Sequence, residues 1–173
     1  SELREPGLIS PLFLRCIEIS GGWGAGMLVG SVGVHFNNFS MRNFFNLKEW
    51  KPYPSGDGQS LSIRAQSNGR LYQSYNLSFM EPWLGGHKAN SFSVSVYRSL
   101  MTNGRKKSDS NFQSMLTNGA SIGLGKRLEW PDDFFSLSGE INYQRYRLND
   151  FTYYHFLFSD GVSNMLTLST KLT

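Results

Sequence analysis

Apolar and polar residues alternate in eight separate segments of this chain, and this pattern restricts its fold more than any other feature. In the first segment Ile17, Ile19 and Trp23 share one parity, and the residues between them are polar or glycine. The alternating segments are 17–23, 28–37, 60–66, 74–80, 91–97, 120–125, 135–144 and 165–172. Successive side chains of a β-strand point to opposite faces, so a period of two predicts strands. Since no comparable amphipathic helix competes, we expect an all-β, antiparallel fold.

The residue types at the polar positions of each strand distinguish a membrane barrel from a soluble β-protein. A soluble sandwich or lipocalin-like barrel also alternates, but its polar face meets water and usually carries many Lys and Glu residues. Here those positions hold mainly Ser, Gly, Asn, Gln and Thr. Charged residues are only 17% of the chain, against roughly 25% in a soluble domain. The pattern therefore favours transmembrane strands around a hydrated lumen, and a soluble ligand-binding β-barrel is a less favoured interpretation.

The overall composition fits a membrane barrel despite a mean hydropathy of −0.34. A barrel strand places only every second residue in lipid, so its average hydropathy stays low. No apolar stretch is long enough for a membrane helix, and no secretory leader is recognisable. Amphipathic aromatic rings prefer the headgroup region of a bilayer. Rings of this kind lie near the predicted strand ends, at Tyr53, Trp83, Trp130, Tyr153 and Tyr154.

Neither the charge nor the reactive side chains indicate nucleic-acid binding, a metal site or catalysis. The net charge is +4, and the basic cluster at 105–107 lies in a polar stretch, where we expect a solvated loop. His35, His87 and His155 share no metal-ligand spacing, and the single Cys16 pairs with none of them. The glycine-rich stretches precede no helix, as a phosphate loop would require. We therefore expect no enzyme, no cofactor, no metal and no nucleic-acid partner.

Turn signals separate the predicted strands. The Asn-Gly pair at 68–69 predicts a tight hairpin whose two central residues both have positive φ. The glycine-rich 24–26 predicts a short turn between the first two strands, and longer loops are expected at 102–113 and 148–161. The stretch 40–58 is long for a hairpin connection.

Three motifs taken together resemble a known family. A Trp-Gly-Ala-Gly turn at 23–26 leads to Phe-Asn-Asn-Phe-Ser at 36–40, Gly-Asp-Gly-Gln at 56–59 enters a strand, and Ser-Phe-Met precedes a Glu-Pro-Trp-Leu-Gly-Gly turn within 78–86. The combination resembles the barrel domain of BamA-like outer-membrane protein assembly factors in their Bacteroidetes form. The most specific part is the turn motif Glu81, Pro82, Trp83, Leu84, Gly85 and Gly86.

The resemblance covers residues 15–173 and leaves 1–14 unassigned. The family has a barrel of about sixteen strands, preceded by periplasmic POTRA domains, and this chain matches the N-terminal half of that barrel. No POTRA segment is recognisable in the sequence, so we expect either a fragment or a shortened homologue. The implied location is the bacterial outer membrane. The implied partners are outer-membrane lipid, unfolded outer-membrane protein clients, and the remaining barrel half with POTRA domains or accessory lipoproteins.

A small passive barrel is the alternative interpretation. Eight strands of about ten residues with their turns fill roughly the length of the chain, which is also the size of the smallest self-closing barrels. Such a barrel would serve as an anchor, an adhesin or a pore. It fits the length but not the family motifs.

The resemblance also implies a mechanism at the first strand. Incoming outer-membrane proteins would pair their terminal strand with its free edge, a form of β-augmentation in which backbone hydrogen bonds supply the affinity. The glycines of 16–24 leave this strand little side-chain packing, so its pairing should be weak and reversible. The implied client-pairing residues, acting through their backbone, are Ile17, Ile19, Gly21 and Trp23.

By the same resemblance the first strand rises from the periplasm. The connections on the periplasmic side would then be 40–58, 81–90 and 129–133, and the surface loops would be 24–27, 68–70, 102–113 and 148–161. Bacterial barrels normally keep periplasmic turns short. The long 40–58 is therefore expected to pack against periplasmic domains, unless the orientation is inverted.

Overall fold

The computed structural model describes residues 16–24, 27–50, 53–86, 90–128, 135–151 and 159–173. Within them eight strands form one antiparallel sheet in chain order. The strands are β1 (Cys16–Gly24), β2 (Met27–Phe39), β3 (Gln59–Asn68), β4 (Tyr72–Glu81), β5 (Asn90–Thr102), β6 (Ser114–Arg127), β7 (Ser136–Asn149) and β8 (Gly161–Leu172). The prediction of an all-β fold with about eight antiparallel strands is confirmed.

Helical structure is confined to short connections in the described part of the chain. Helix α1 (Met41–Phe44) and a 3-10 turn (Leu47–Glu49) lie between β2 and β3, and a second 3-10 turn (Leu84–Gly86) follows β4. Among these residues no helix is long and apolar enough to cross a membrane. Some predicted features lie outside the described residues. They are 1–14, the turn residues 25–26, His87, Trp130 with the connection 129–133, and Tyr153, Tyr154 and His155.

Several strands extend beyond the segments that alternate. β6 has 14 residues, whereas alternation predicted only 120–125. Its additional residues stay in the ladder because β7 pairs with them continuously, from Ser114↔Asn149 to Arg127↔Ser136. Backbone pairing satisfies the hydrogen bonds of N–H and C=O groups whatever the side chain of the residue. The ladder can therefore continue where the sequence pattern stops.

The register of the seven ladders divides the sheet into an apolar face and a polar face. One row of the apolar face reads Ile17, Val34, Ile63, Leu77, Val96, Ala120, Tyr143 and Leu166. A row of the polar face reads His35, Ser62, Ser78, Ser95, Ser121, Asn142 and Thr167. The apolar face is open over most of its extent, with Ile19 76% exposed and Leu168 72% exposed. An apolar surface of this size is typical of contact with lipid.

The described residues contain almost no buried apolar core. The buried hydrophobic side chains among them are Phe39, Tyr53, Leu148 and Phe151. A soluble sandwich would bury the apolar face of one sheet against a second sheet. The exposure of that face therefore argues against the soluble interpretation.

The sheet ends in two open edges, β1 and β8. Over the residues that the structure describes, no pairing joins β8 to β1. A self-closing barrel of eight strands requires that pairing, because closure is what removes the edges. The structure thus does not show the closed form expected of a small passive barrel.

The Asn-Gly hairpin is present, but its turn differs from the predicted one. Asn68 pairs with Tyr72, which leaves a loop of three residues at 69–71. Gly69 has φ 59°, whereas Asn68 is not among the residues with positive φ. The predicted two-residue turn is wrong because Asn68 stays in the ladder, opposite Val29 of β2 as well as Tyr72 of β4.

Glycines of β6 make room for side chains of β5 on the polar face. A Cβ at Gly119 would clash with the ring of Tyr97, and one at Gly123 would lie 2.5 Å from Ser93 Oγ. The Tyr97 hydroxyl accepts a hydrogen bond from Gln144 Nε2. These glycines therefore relieve crowding, as expected of glycine inside a strand.

Candidate functional site

Strand β1 presents one paired side and one open side. All nine of its residues pair with β2, from Cys16↔His35 to Gly24↔Met27. Its other side has no partner strand in the described ranges. In an antiparallel ladder about half of the residues direct both their N–H and C=O groups away from a given neighbour. The open side of β1 is therefore a template on which a further strand can add.

The middle of β1 makes few side-chain contacts with β2. Gly21 pairs with Gly30, and Gly22 pairs with Val29. A Cβ added at Gly22 would meet nothing within 4 Å. Cross-strand side-chain pairs contribute roughly 0.2–1 kcal/mol each, and the glycines make no such pairs in this part of the ladder. At these glycines the hold of β2 on β1 is thus mainly the backbone ladder.

The four predicted pairing residues share one face of β1. Ile17, Ile19 and Trp23 are 58%, 76% and 76% exposed, and Gly21 is exposed between them. Since a strand alternates, these residues line the apolar face and leave the in-plane edge to the backbone. Their arrangement suits a strand whose side chains contact lipid while its main chain is free to pair.

Two side-chain contacts hold β1 on the polar face, and sequence reasoning missed both. Glu18 Oε2 accepts a hydrogen bond from Arg64 Nη2 at 2.8 Å, so β1 is joined to β3 across β2. The two side chains meet over Gly33, where a Cβ would lie 3.6 Å from each of them. The hydroxyls of Ser20 and Ser31 are 2.8 Å apart. The sequence did show that Glu18 and Arg64 both belong to the polar face of their strands. Only the register of the two ladders shows that they lie close enough to pair.

The turn motif at 81–86 lies away from β1. It connects β4 to β5, so β2 and β3 separate it from the open edge. Its carboxylate organises the turn, since Glu81 Oε1 accepts from the backbone N–H of Trp83 at 3.1 Å. Gly85 and Gly86 have φ 73° and 75°, a conformation that favours glycine. The structure therefore does not bring this motif together with the predicted pairing residues.

The turn motif instead contacts the Gly-Asp-Gly-Gln motif. Gln59 Nε2 donates to Glu81 Oε2 at 2.6 Å, and Gln59 Oε1 accepts from the backbone N–H of Met41 at 2.7 Å. Ser40 Oγ donates to Asp57 Oδ2 at 2.5 Å, and Ser40 is fully buried. We call Ser40, Asp57, Gln59 and Glu81 the motif cluster. The cluster gives a structural reason why the two motifs occur in one sequence.

The described residues of the long connection 40–58 pack on the apolar face of their own sheet. A bulge between Phe36 and Phe39, with Asn38 at φ 63°, puts both phenylalanines on that face. The ring of Tyr53 lies 5.2 Å from that of Phe36, and its hydroxyl donates to Asn37 O at 3.0 Å. Phe44 covers Phe39 with their ring centroids 6.2 Å apart. These contacts form a folded cover over one end of the sheet, which accounts for the length of the connection.

The described residues hold no group of three His, Cys, Asp or Glu side chains that could bind a metal. The arrangement offers main-chain pairing at β1 and a lipid-compatible face.

Comparison with known protein families gives one match. The Omp85 superfamily domain matches residues 55–172, from the end of the 40–58 connection through β8. β1 and β2 precede the matched range. Searches among curated proteins and among solved structures found no match.

Proposed function

The chain belongs to the Omp85 superfamily, and on that basis we propose that it assembles outer-membrane β-barrel proteins by pairing their strands with β1. Membership supports, at the level of the family, a role in outer-membrane protein assembly or secretion, at a lipid membrane and with client proteins. The proposal adds the site of action and a BamA-like mechanism to that family role.

The observation that carries the proposal is the open edge of β1. Unsatisfied backbone groups in a bilayer cost several kcal/mol each, so an edge at membrane depth gains strongly from any strand that pairs with it. Pairing through the main chain requires no particular client sequence. An assembly factor with many clients needs that tolerance.

The glycines of β1 support release after pairing. A client must leave the edge once its own barrel is complete, so the edge must not bind too firmly. Gly21 and Gly22 offer an incoming strand little side-chain contact. The client is then held by backbone hydrogen bonds, which its own closing strands can replace one by one.

The remaining assignments follow the Bacteroidetes-type resemblance. The eight strands would form the N-terminal half of the barrel, residues 15–173, with β8 continuing into the other half. POTRA domains or accessory lipoproteins would act at the end of the sheet that carries 40–58 and 81–86, which the proposal places in the periplasm. The connection 40–58 and the turn 81–86 do lie at the same end of the sheet, because successive strands alternate in direction.

Disulfide crosslinking on β1 tests the pairing. In a Cys16→Ser background, Gly22→Cys places a thiol where there is open space. We expect it to crosslink with a cysteine-bearing terminal-strand peptide of an outer-membrane barrel protein. The matched control is Asn76→Cys on β4, which is paired on both sides with Arg64 and Tyr97 and should not react.

The comparison peptide has the same composition in scrambled order. If Gly22→Cys crosslinks no better with the terminal-strand peptide than with the scrambled one, β1 is not the client-pairing edge. Equal reaction at Asn76→Cys would mean that the peptide binds without strand addition.

A further inference from the structure

Residues 41–50, which we call the cap segment, expose large apolar side chains although the segment is folded. Phe45 is 85% exposed, Leu47 75%, Met41 44%, Phe44 42% and Trp50 38%. The same connection buries Tyr53 and covers Phe39. Exposed apolar groups beside well-buried ones mark a contact surface more often than an accident of folding.

The cap segment continues the apolar face of the sheet. Phe44 contacts Phe39, whose ring centroid is 6.4 Å from that of Phe79. Phe79 pairs with Val94 of β5 and so belongs to the lipid-compatible face. Phe44 in turn contacts Phe45 and Trp50, with centroids 5.3 Å and 5.9 Å apart. The exposed rings thus lie at the end of the membrane-facing surface and are continuous with it.

Hydrogen bonds hold the cap segment in this arrangement. Ser40 Oγ accepts from the backbone N–H of Asn43 at 3.1 Å and caps α1. Asn43 Nδ2 donates to Ser55 O at 3.0 Å, and Trp50 Nε1 donates to Asn43 O at 3.2 Å. These bonds, together with the motif cluster, oppose any refolding that would bury Phe45 and Leu47 against the sheet.

The chemistry of the segment matches the boundary between headgroups and acyl chains. Aromatic rings with a satisfied polar atom, like the indole of Trp50, are favoured at that depth. Arg42 and Lys48 lie in the same segment, and cationic side chains beside an apolar surface attract anionic headgroups.

We propose that the cap segment is an interfacial anchor for a phospholipid leaflet. Phe45, Leu47 and Trp50 insert among the headgroups at this end of the sheet, and Arg42 and Lys48 are attracted by the net negative charge of anionic lipids. Because α1 follows directly from β2, the anchor sets the membrane depth of β2 and of β1 paired with it. The inference rests on the membrane location of the family and is independent of client pairing.

The test uses an environment-sensitive dye at single cysteines in the Cys16→Ser background. Phe45→Cys carries the dye in the cap segment, and Ser110→Cys carries it in the exposed loop at the opposite end of the sheet. The protein is reconstituted in phosphatidylcholine vesicles with and without phosphatidylglycerol, and folding is checked by heat-modifiable migration. The dye at position 45 should be quenched by lipids spin-labelled near the headgroup and several-fold less by aqueous iodide than the dye at position 110.

The outcomes separate the parts of the proposal. The anchor is wrong if, in folded protein, iodide quenches the dye at position 45 as strongly as the dye at position 110 and spin-labelled lipid does not quench position 45. The double substitution Arg42→Gln and Lys48→Gln should weaken lipid quenching in phosphatidylglycerol vesicles only. An equal loss in pure phosphatidylcholine would overturn the headgroup-charge contact. The crosslinking yield on β1 is read separately, so either proposal can fail alone.

Discussion

The two edges of the sheet, β1 and β8, differ in length and in the side chains that support them. β1 pairs over nine residues and contains Gly21, Gly22 and Gly24. β8 pairs with β7 over twelve residues and places Leu166 opposite Tyr143 and Leu168 opposite Ile141. Pairs of aromatic and aliphatic residues stabilise neighbouring strands beyond their hydrogen bonds. β1 also has apolar pairs, Ile17↔Val34 and Ile19↔Val32, but its glycines interrupt them. β8 is therefore built to stay in the sheet, whereas the middle of β1 is held more loosely.

This difference indicates which edge can exchange partners. An edge that pairs permanently gains from side-chain contacts, because each of them adds to the ladder. An edge that must accept and release clients instead gains from having few side-chain contacts with its neighbour. The asymmetry therefore supports the proposal that clients pair at β1, and that β8 meets the other half of the barrel.

The largest expected effect comes from making β8 resemble β1. The double substitution Leu166→Gly and Leu168→Gly removes two cross-strand contacts and adds backbone freedom in the unfolded chain. We expect the free energy of unfolding to fall by about 2–4 kcal/mol. Urea unfolding in vesicles, followed by tryptophan fluorescence, measures the loss. Unchanged stability would mean that the leucines contribute nothing to β8 and that the two edges are equivalent.

The converse change, making β1 resemble β8, should have a smaller effect on stability. In the Gly22→Cys crosslinking variant, Gly21→Val adds a side chain whose nearest neighbour, Val29 O, lies 3.8 Å from the added Cβ. We expect a gain of about 0.5–1 kcal/mol and a several-fold lower rate of client crosslinking, since a firmer β1 exchanges more slowly.

The control for Gly21→Val lies in β6. Gly119→Val should destabilise the sheet by about 1–3 kcal/mol, because the added side chain meets the ring of Tyr97. If the Gly21→Val variant becomes more stable but crosslinks at the original rate, Gly21 has no part in client exchange.

Strand positions could be predicted from the sequence because alternation is a local property. Each of the eight predicted segments overlaps one observed strand, and the fold class follows from them. Contacts that depend on register could not be predicted. The pair Glu18–Arg64 requires two successive ladders, and the bond between Gln59 and Glu81 joins residues 22 positions apart.

The cover formed by 40–58 shows a second limit. Its position depends on the bulge that turns Phe39 to the apolar face, and Asn38 at positive φ is the residue that permits the bulge. No periodicity marks such a residue in advance. Sequence reasoning therefore identified a long connection but not its packing on the sheet.

The smallest expected effect concerns the ion pair that fastens β1 to β3. Both side chains are more than half exposed, so the pair is worth about 0.2–1 kcal/mol in water. Glu18→Gln should loosen β1 by that amount and raise the rate of client crosslinking by up to about fivefold. Arg64→Gln should do the same, and the double variant no more than either, because the two residues act as one contact.

Salt dependence distinguishes this ion pair from a general weakening of β1. High ionic strength screens exposed charges, so it should bring the unmodified protein toward the rate of Glu18→Gln and leave that variant unchanged. Ser20→Ala removes the uncharged contact with Ser31 and should preserve the response to salt. If Glu18→Gln crosslinks more slowly than the unmodified protein, the carboxylate assists client pairing directly and the ion pair does not restrain β1.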